Sequence, residues 1–109
     1  MKLLFAIVQN DDVKPLTKAL IDNGINATRI SSSGGFLSGG NSTLMIGVEP
    51  ARLQNALDIV KKYSNRRVAA VPAPVAPVTQ LGENPILPIN VSIGGATVFV
   101  VDAEDFYKF

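Results

Sequence analysis

The chain contains no cysteine and no histidine. Without cysteine it can form neither a disulfide bond nor a thiolate nucleophile. Without histidine it lacks the usual general base of enzymes and the commonest protein ligand of metal ions. No serine has a recognisable base beside it, so we predict a protein that is not an enzyme and that holds no metal.

Charge is also scarce. Charged residues make up 17% of the chain, and the formal net charge is +1. The densest basic spot is the pair Arg66-Arg67, which is too small to attract nucleic acid or a membrane surface. The apolar run at residues 3–8 is too short for a signal peptide or a membrane span, so we predict a cytoplasmic location.

The length and the apolar content are typical of one compact domain. At 109 residues the chain is long enough to bury a core, and we predict a single domain over residues 1–109. Hydrophobic residues make up 47% of it, which is high for a small protein and suggests surface hidden in an oligomer.

Hydrophobic patterning predicts an α+β fold. Strands are expected at 3–8, 25–30, 43–48 and 67–71, with a further strand region at 89–101 that Gly94-Gly95 interrupts. A helix capped by Asp11 or Asp12 should end at Asn23-Gly24, and another should begin at Pro50. This order is that of a ferredoxin-like βαββαβ sandwich, with long loops after the second strand (32–42) and the fourth strand (73–88).

Two strand segments are apolar at consecutive positions. Residues 3–8 and 98–101 both require burial on two faces, whereas two helices on one side of the sheet can cover only one. Other copies of the chain are the simplest cover for the second face, so we predict an oligomer.

A glycine- and serine-rich stretch lies between the second and third strands. Residues 31–41 contain four glycines, four serines and a central Phe36. The stretch is either a loop without a role or a place where a ligand meets the backbone. Residues 35–42 read G-x-x-x-x-G-N-S and lack the lysine of a phosphate-binding P-loop, so nucleoside triphosphate hydrolysis is rejected. An anion-binding concavity of loop N–H groups stays open.

Several single residues allow two readings. The Asn41 amide could read a nucleobase edge, or the residue could serve in a turn. The Thr28 hydroxyl could bind phosphate or ribose, or Thr28 could be an ordinary strand residue. Phe99 would normally belong to a core. The acidic residues at 102–105 fall in a tail that we expect to be solvated, so we assign them no catalytic role.

Taken together, five segments resemble the PII-like cyclic-di-AMP receptors, also called PstA-type proteins. They are Ala6-Ile7-Val8-Gln9, Gly34-Gly35-Phe36-Leu37, Gly40-Asn41, Ile46-Gly47-Val48 and Gly94-Gly95-Ala96-Thr97-Val98-Phe99-Val100. The resemblance covers nearly the whole chain in the same order. The Gly-Gly-Phe-Leu and Gly-Gly-Ala-Thr-Val-Phe-Val segments are specific in combination.

The resemblance implies a homotrimer that binds cyclic-di-AMP in clefts between subunits, without a cofactor. It also implies that the glycine-rich loop, which we expect to be mobile without ligand, relays the signal to an unidentified protein. Ring stacking on adenine is implied for the two phenylalanines, and polar contacts for the other positions. The matching ligand-binding positions are Thr28, Gly35, Phe36, Leu37, Asn41, Gly47 and Phe99.

The chain departs from the family pattern at three places. Asn26 stands where an arginine usually lies beside the phosphates, and strand alternation puts Arg29 on the opposite face from Thr28. Leu87-Pro88 replaces a Pro-Tyr-Pro segment, and Lys108 replaces a glutamine. Asn26 leaves open a PII-like regulator of another adenine nucleotide. A metal-tolerance protein on a similar trimeric scaffold is a further alternative, disfavoured by the missing cysteine and histidine.

Overall fold

The structure is a computed structural model that describes residues 1–30, 40–74 and 86–109, with the backbone alone described for 71–74, 86 and 87. A turn of 3₁₀ helix, Pro50–Arg52, leads into the second α-helix. The other elements are β1 (Lys2–Gln9), α1 (Asn10–Asp22), β2 (Ala27–Ile30), β3 (Asn41–Val48), α2 (Leu53–Ser64), β4 (Arg67–Pro74), β5 (Ile86–Ile93) and β6 (Ala96–Asp102).

The main sheet has the strand order β2-β3-β1-β6, and every neighbouring pair is antiparallel. β1 and β2 are joined in sequence by α1, but in the sheet β3 lies between them. This is the split arrangement of the ferredoxin-like plan. The predicted α+β, ferredoxin-like fold class is confirmed.

The core lies between the two helices and one face of this sheet. Alternate residues of β1 and β3 are fully or nearly fully buried, because successive side chains of a strand point to opposite faces. Leucines of α1 and small or branched residues of α2 pack against them. The central members are Leu4, Ala6, Val8, Leu16, Leu20, Leu44, Ile46, Ala56 and Val60.

The predicted end of α1 is correct, but its predicted N-terminal cap is wrong. The helix ends after Asp22 as expected: the Asn23 side chain donates to the Ala19 carbonyl at 2.8 Å, and Gly24 takes a φ of 72°. Its start differs, because Gln9 is the N-terminal capping residue and makes no side-chain cap. Asp12 lies inside the helix and points to Arg67 instead.

The prediction that residues 67–71 form the fourth strand of the main sheet is wrong. That segment is the start of β4, which among the described strands pairs with β5 alone, in a separate two-stranded sheet. The fourth position beside β1 is taken by β6, with Leu4 opposite Val100. The unbroken run of β-branched and aromatic residues in β6 suits a long antiparallel pairing.

The proline-rich segment explains this arrangement. Pro72 lies opposite Pro88 in the β4–β5 pair, and neither can donate a backbone hydrogen bond. Proline is tolerated in strands that have a free edge, as both strands of an isolated pair do. The loop predicted at 73–88 is accordingly shorter, because paired strand extends to Pro74 and resumes at Ile86.

Candidate ligand-binding surface

Five of the predicted ligand-binding residues lie in the described part of the chain. They are Asn26, Thr28, Asn41, Gly47 and Phe99. The other three, Gly35, Phe36 and Leu37, lie outside the described residues.

The face of the main sheet that the helices do not cover carries one row of aligned side chains. Thr28 of β2 lies opposite Met45 of β3, Met45 opposite Phe5 of β1, and Phe5 opposite Phe99 of β6. Directly opposed residues point to the same side of a sheet, so the four share this open face. Phe99 is 57% exposed at the end of the row, which corrects the reading of it as a core residue.

The open face carries a group of seven apolar side chains. Its apolar members come from all four strands and are half-buried or exposed. They are Leu3, Phe5, Ile7, Ile30, Met45, Phe99 and Val101. An apolar patch of this extent on a small domain is typical of a surface that another molecule covers.

The predicted residues do not converge within one chain. Asn41 and Gly47 lie six positions apart on β3, a separation of about 20 Å at about 3.4 Å per residue. Thr28 and Phe99 lie on the outer strands β2 and β6, with three strand spacings of about 4.8 Å, or about 14 Å, between them. A single small ligand cannot touch all of these residues of one subunit.

One subset does lie together at the outer end of β2. Ala27 pairs with Ile46, so Asn26, which precedes Ala27, lies beside Gly47, which follows Ile46. Asn26, Thr28 and Gly47 are all exposed there, and the Met1 sulfur lies beside Gly47, 3.6 Å from where a Cβ would stand. The Gly47 backbone and two short polar side chains are therefore neighbours on this part of the surface.

Arg29 does not replace the missing arginine at position 26. Its guanidinium lies on the helix side, where it donates to Ser42 Oγ at 2.8 Å and to Asn10 Oδ1 at 3.4 Å. The prediction that strand alternation separates Arg29 from Thr28 is confirmed.

Asn41 belongs to a different part of the surface. It lines a groove of about 530 Å³ between the C-terminal half of α2 and the Gly94-Gly95 corner. Lys61 and Arg66 line the same groove, together with Thr97. Sequence reasoning set Arg66 aside as half of a small basic pair, because only the folded chain places it in the same groove as Asn41.

The profile of the Cyclic-di-AMP receptor family matches residues 1–109. The chain belongs to the cyclic-di-AMP receptor family. The resemblance seen in its motifs is thereby confirmed at the level of the family over the whole sequence.

A solved structure supports the same fold for this receptor. It is the crystal structure of a functionally unknown protein from Pediococcus pentosaceus ATCC 25745, with a TM-score of 0.77 and 40% sequence identity. The alignment covers 99% of this chain and 96% of that chain. The arrangement of helices and strands in the receptor is therefore found in a related protein.

Two features are absent from the described residues. No helix among them is long and apolar enough to cross a membrane. The described ranges also contain no group of three or more acidic, histidine or cysteine side chains placed to hold a metal ion.

Proposed function

We propose that this protein is a non-enzymatic sensor in which cyclic-di-AMP binds between the subunits of a homotrimer. The observation that carries the proposal is the position of Thr28 and Phe99 at opposite ends of one row across the open face. Each supplies a chemically suitable contact, but in one chain they are too far apart to share an adenosine.

Thr28 and Phe99 lie on the two outer strands, at opposite edges of the sheet, and this placement favours a closed ring of subunits over a two-fold dimer. A two-fold interface joins identical patches, whereas a head-to-tail interface joins two different patches and closes into a ring when the rotation permits. A head-to-tail contact can bring the β2 end of one subunit to the β6 edge of the next. This contact would also cover the apolar open face. The resemblance implies that the ring contains three subunits.

The chemistry of the two edges suits a cyclic dinucleotide. Phe99 offers an exposed ring on which adenine can stack, a contact that contributes about 1–3 kcal/mol per base. The Thr28 hydroxyl and the Asn26 amide can donate to ribose or phosphate oxygens, and Asn41 can pair with an adenine edge. The glycine-rich loop, with Gly35, Phe36 and Leu37, is proposed to respond to the ligand and to relay its presence to a protein partner.

Calorimetric titration with cyclic-di-AMP, on a protein whose mass has been measured by light scattering, tests the proposal. We expect a trimer that binds one ligand per subunit interface. A folded monomer, or a trimer that gives no binding heat, would reject it.

Asn26 favours a second candidate, a regulator that binds a different adenine nucleotide. A neutral amide gives a weaker contact to a phosphate than a guanidinium does. Displacement of bound cyclic-di-AMP by ATP, ADP or AMP at comparable concentration would favour that candidate, and failure of all of them to compete would exclude it.

A further inference from the structure

The first turn of α1 holds the strand that follows the glycine-rich loop. The Asn10 backbone N–H donates to the Gly40 carbonyl, and the Asn10 side-chain oxygen accepts from Ser42 Oγ. Arg29 Nη2 donates to the same Ser42 oxygen at 2.8 Å. Asn10 therefore joins the last turn of chain before β3 to the end of β2.

The same turn also holds the base of the β4–β5 hairpin. Arg67 at the start of β4 forms an ion pair with Asp12, with 2.7 Å between Nη2 and Oδ1 and 3.4 Å between Nη1 and Oδ2. The Asp12 side chain is only 4% exposed, and removing one partner of a buried ion pair is costly, so Arg67 is held firmly at this position. At the other strand of the hairpin, the Gly94 N–H donates to the Gln9 side chain at 2.8 Å.

These contacts connect the base of the hairpin to the rest of the subunit, together with a hydrogen bond from the Gly95 N–H to the Ser64 carbonyl at 2.6 Å. Among the described elements, β4 and β5 pack extensively only against each other. A two-stranded hairpin alone is marginally stable, so its order depends on how firmly its base is held. Residues 9–12, here called the junction, contact the base of the hairpin through Gln9 and Asp12. Through Asn10 they are also hydrogen-bonded to the start of β3.

We propose that the junction couples the two hairpins: a ligand that orders the β2–β3 end also orders the β4–β5 hairpin, through Asn10 and Asp12. This inference rests on the proposed function for the identity of the ligand. The coupling element itself is a short helical turn, in which two side chains two positions apart, those of Asn10 and Asp12, contact two different segments. By linkage, loosening the hairpin base must then weaken ligand binding by the same factor that ligand tightens the hairpin.

Hydrogen exchange with calorimetry on the intact protein tests the coupling. The informative variant is the double substitution Asp12→Asn with Arg67→Gln, which removes both charges and leaves no unpaired buried charge. Lys18→Gln is the matched control, because it breaks an exposed ion pair with Asp22 at the other end of the same helix. Melting temperature and light scattering establish that each variant is folded and has the wild-type mass.

In the wild type and in Lys18→Gln, saturating cyclic-di-AMP should slow amide exchange in β5. In the double variant that response should disappear, and affinity should fall by about fivefold or more. A β5 response in the double variant equal to that of the wild type would overturn the inference. So would ligand binding to the wild type without any change in β5.

A ligand-free arm separates this inference from the proposed function. Without ligand, the double variant should speed exchange in the first residues of β3, and Asn10→Ala should speed exchange in β5. If the wild type binds no cyclic-di-AMP, the proposed function fails while these changes still support the coupling. If both variants leave the distant hairpin unchanged, the coupling fails whatever the ligand.

Discussion

Phe5 and Phe99 lie directly opposite each other on β1 and β6, on the sheet face that the helices leave open. Phe5 is half-buried in a central strand, whereas Phe99 is 57% exposed on an outer strand. The two rings thus extend an apolar row to the edge of the sheet, where a neighbouring subunit and an adenine can reach it.

Phe99→Ala should weaken cyclic-di-AMP binding without unfolding the subunit. Loss of one stacked base contact of about 1–3 kcal/mol corresponds to a rise in Kd of about fivefold to hundredfold. Because the ring is mostly exposed in the single chain, the melting temperature of the subunit should change little. Calorimetry measures the first effect and thermal unfolding the second.

Val101→Ala is the control for Phe99→Ala. It removes apolar area from the same face of the same strand but no aromatic ring. A similar loss of affinity in both variants would attribute the effect to subunit contact rather than stacking and would contradict the assignment of Phe99.

Asn26→Arg should tighten binding of cyclic-di-AMP. A hydrogen bond to a charged group contributes about 1.5–3 kcal/mol against about 1 kcal/mol for a neutral one, so Kd should fall by about threefold to thirtyfold. The gain should shrink as salt is added, because salt screens exposed charges. Asn55→Arg, on the exposed surface of α2, adds the same charge at another place and should leave Kd unchanged. Equal gains in both variants would show a general charge effect and contradict a ligand contact at position 26.

Much of the fold could be predicted because its signals are local. Alternation along β1 and β3, and the Asn23-Gly24 end of α1, follow from neighbouring residues. The strand that fills the sheet beside β1 could not be predicted in this way. Arg67 and Val98 both begin suitable strand segments, and only the long-range pairings show that β6 joins the sheet while β4 pairs with β5.

The site shows the same division between local and long-range information. Strand alternation correctly separates Thr28 from Arg29. The distance from Thr28 to Phe99, however, depends on the strand order, which is a property of the whole sheet. The Asp12–Arg67 ion pair joins residues 55 positions apart, and the sequence suggested only a helix cap for Asp12.

The Asp102 carboxylate should titrate below its ordinary pKa. A hydrogen bond from Lys2, and then the charge of that lysine, lower the pKa of Asp102 from the usual 3.8. A carboxyl whose pKa is lower in the folded state stabilises the fold above its unfolded pKa. That stabilisation is complete at pH values above the unfolded pKa of 3.8, and it is lost as the pH falls through the lower folded pKa.

Carbon-detected NMR titration of the Asp102 carboxyl group measures this pKa. Lys2→Gln should return it toward 3.8, because the two largest causes of the lowered pKa disappear and only the smaller effect of the N-terminal charge stays. An unchanged titration curve in that variant would show that Lys2 does not pair with Asp102 in solution. Lys14→Gln, a change of the same charge at an exposed position of α1, should have no effect.

Gly94→Ala should destabilise the protein more than Gly95→Ala. Both glycines have positive φ, at 77° and 100°, where a side chain costs about 1–2 kcal/mol. At Gly95 an added Cβ meets no atom within 4 Å, so only this backbone cost applies. At Gly94 the Cβ would overlap the Arg67 guanidinium and the backbone carbonyl of Asn65. The carbonyl cannot move without the chain, so the base of the hairpin must shift and the Asp12–Arg67 pair must weaken. Denaturant unfolding of the two variants measures the difference, and equal midpoints would contradict the tight packing of Gly94 against Arg67.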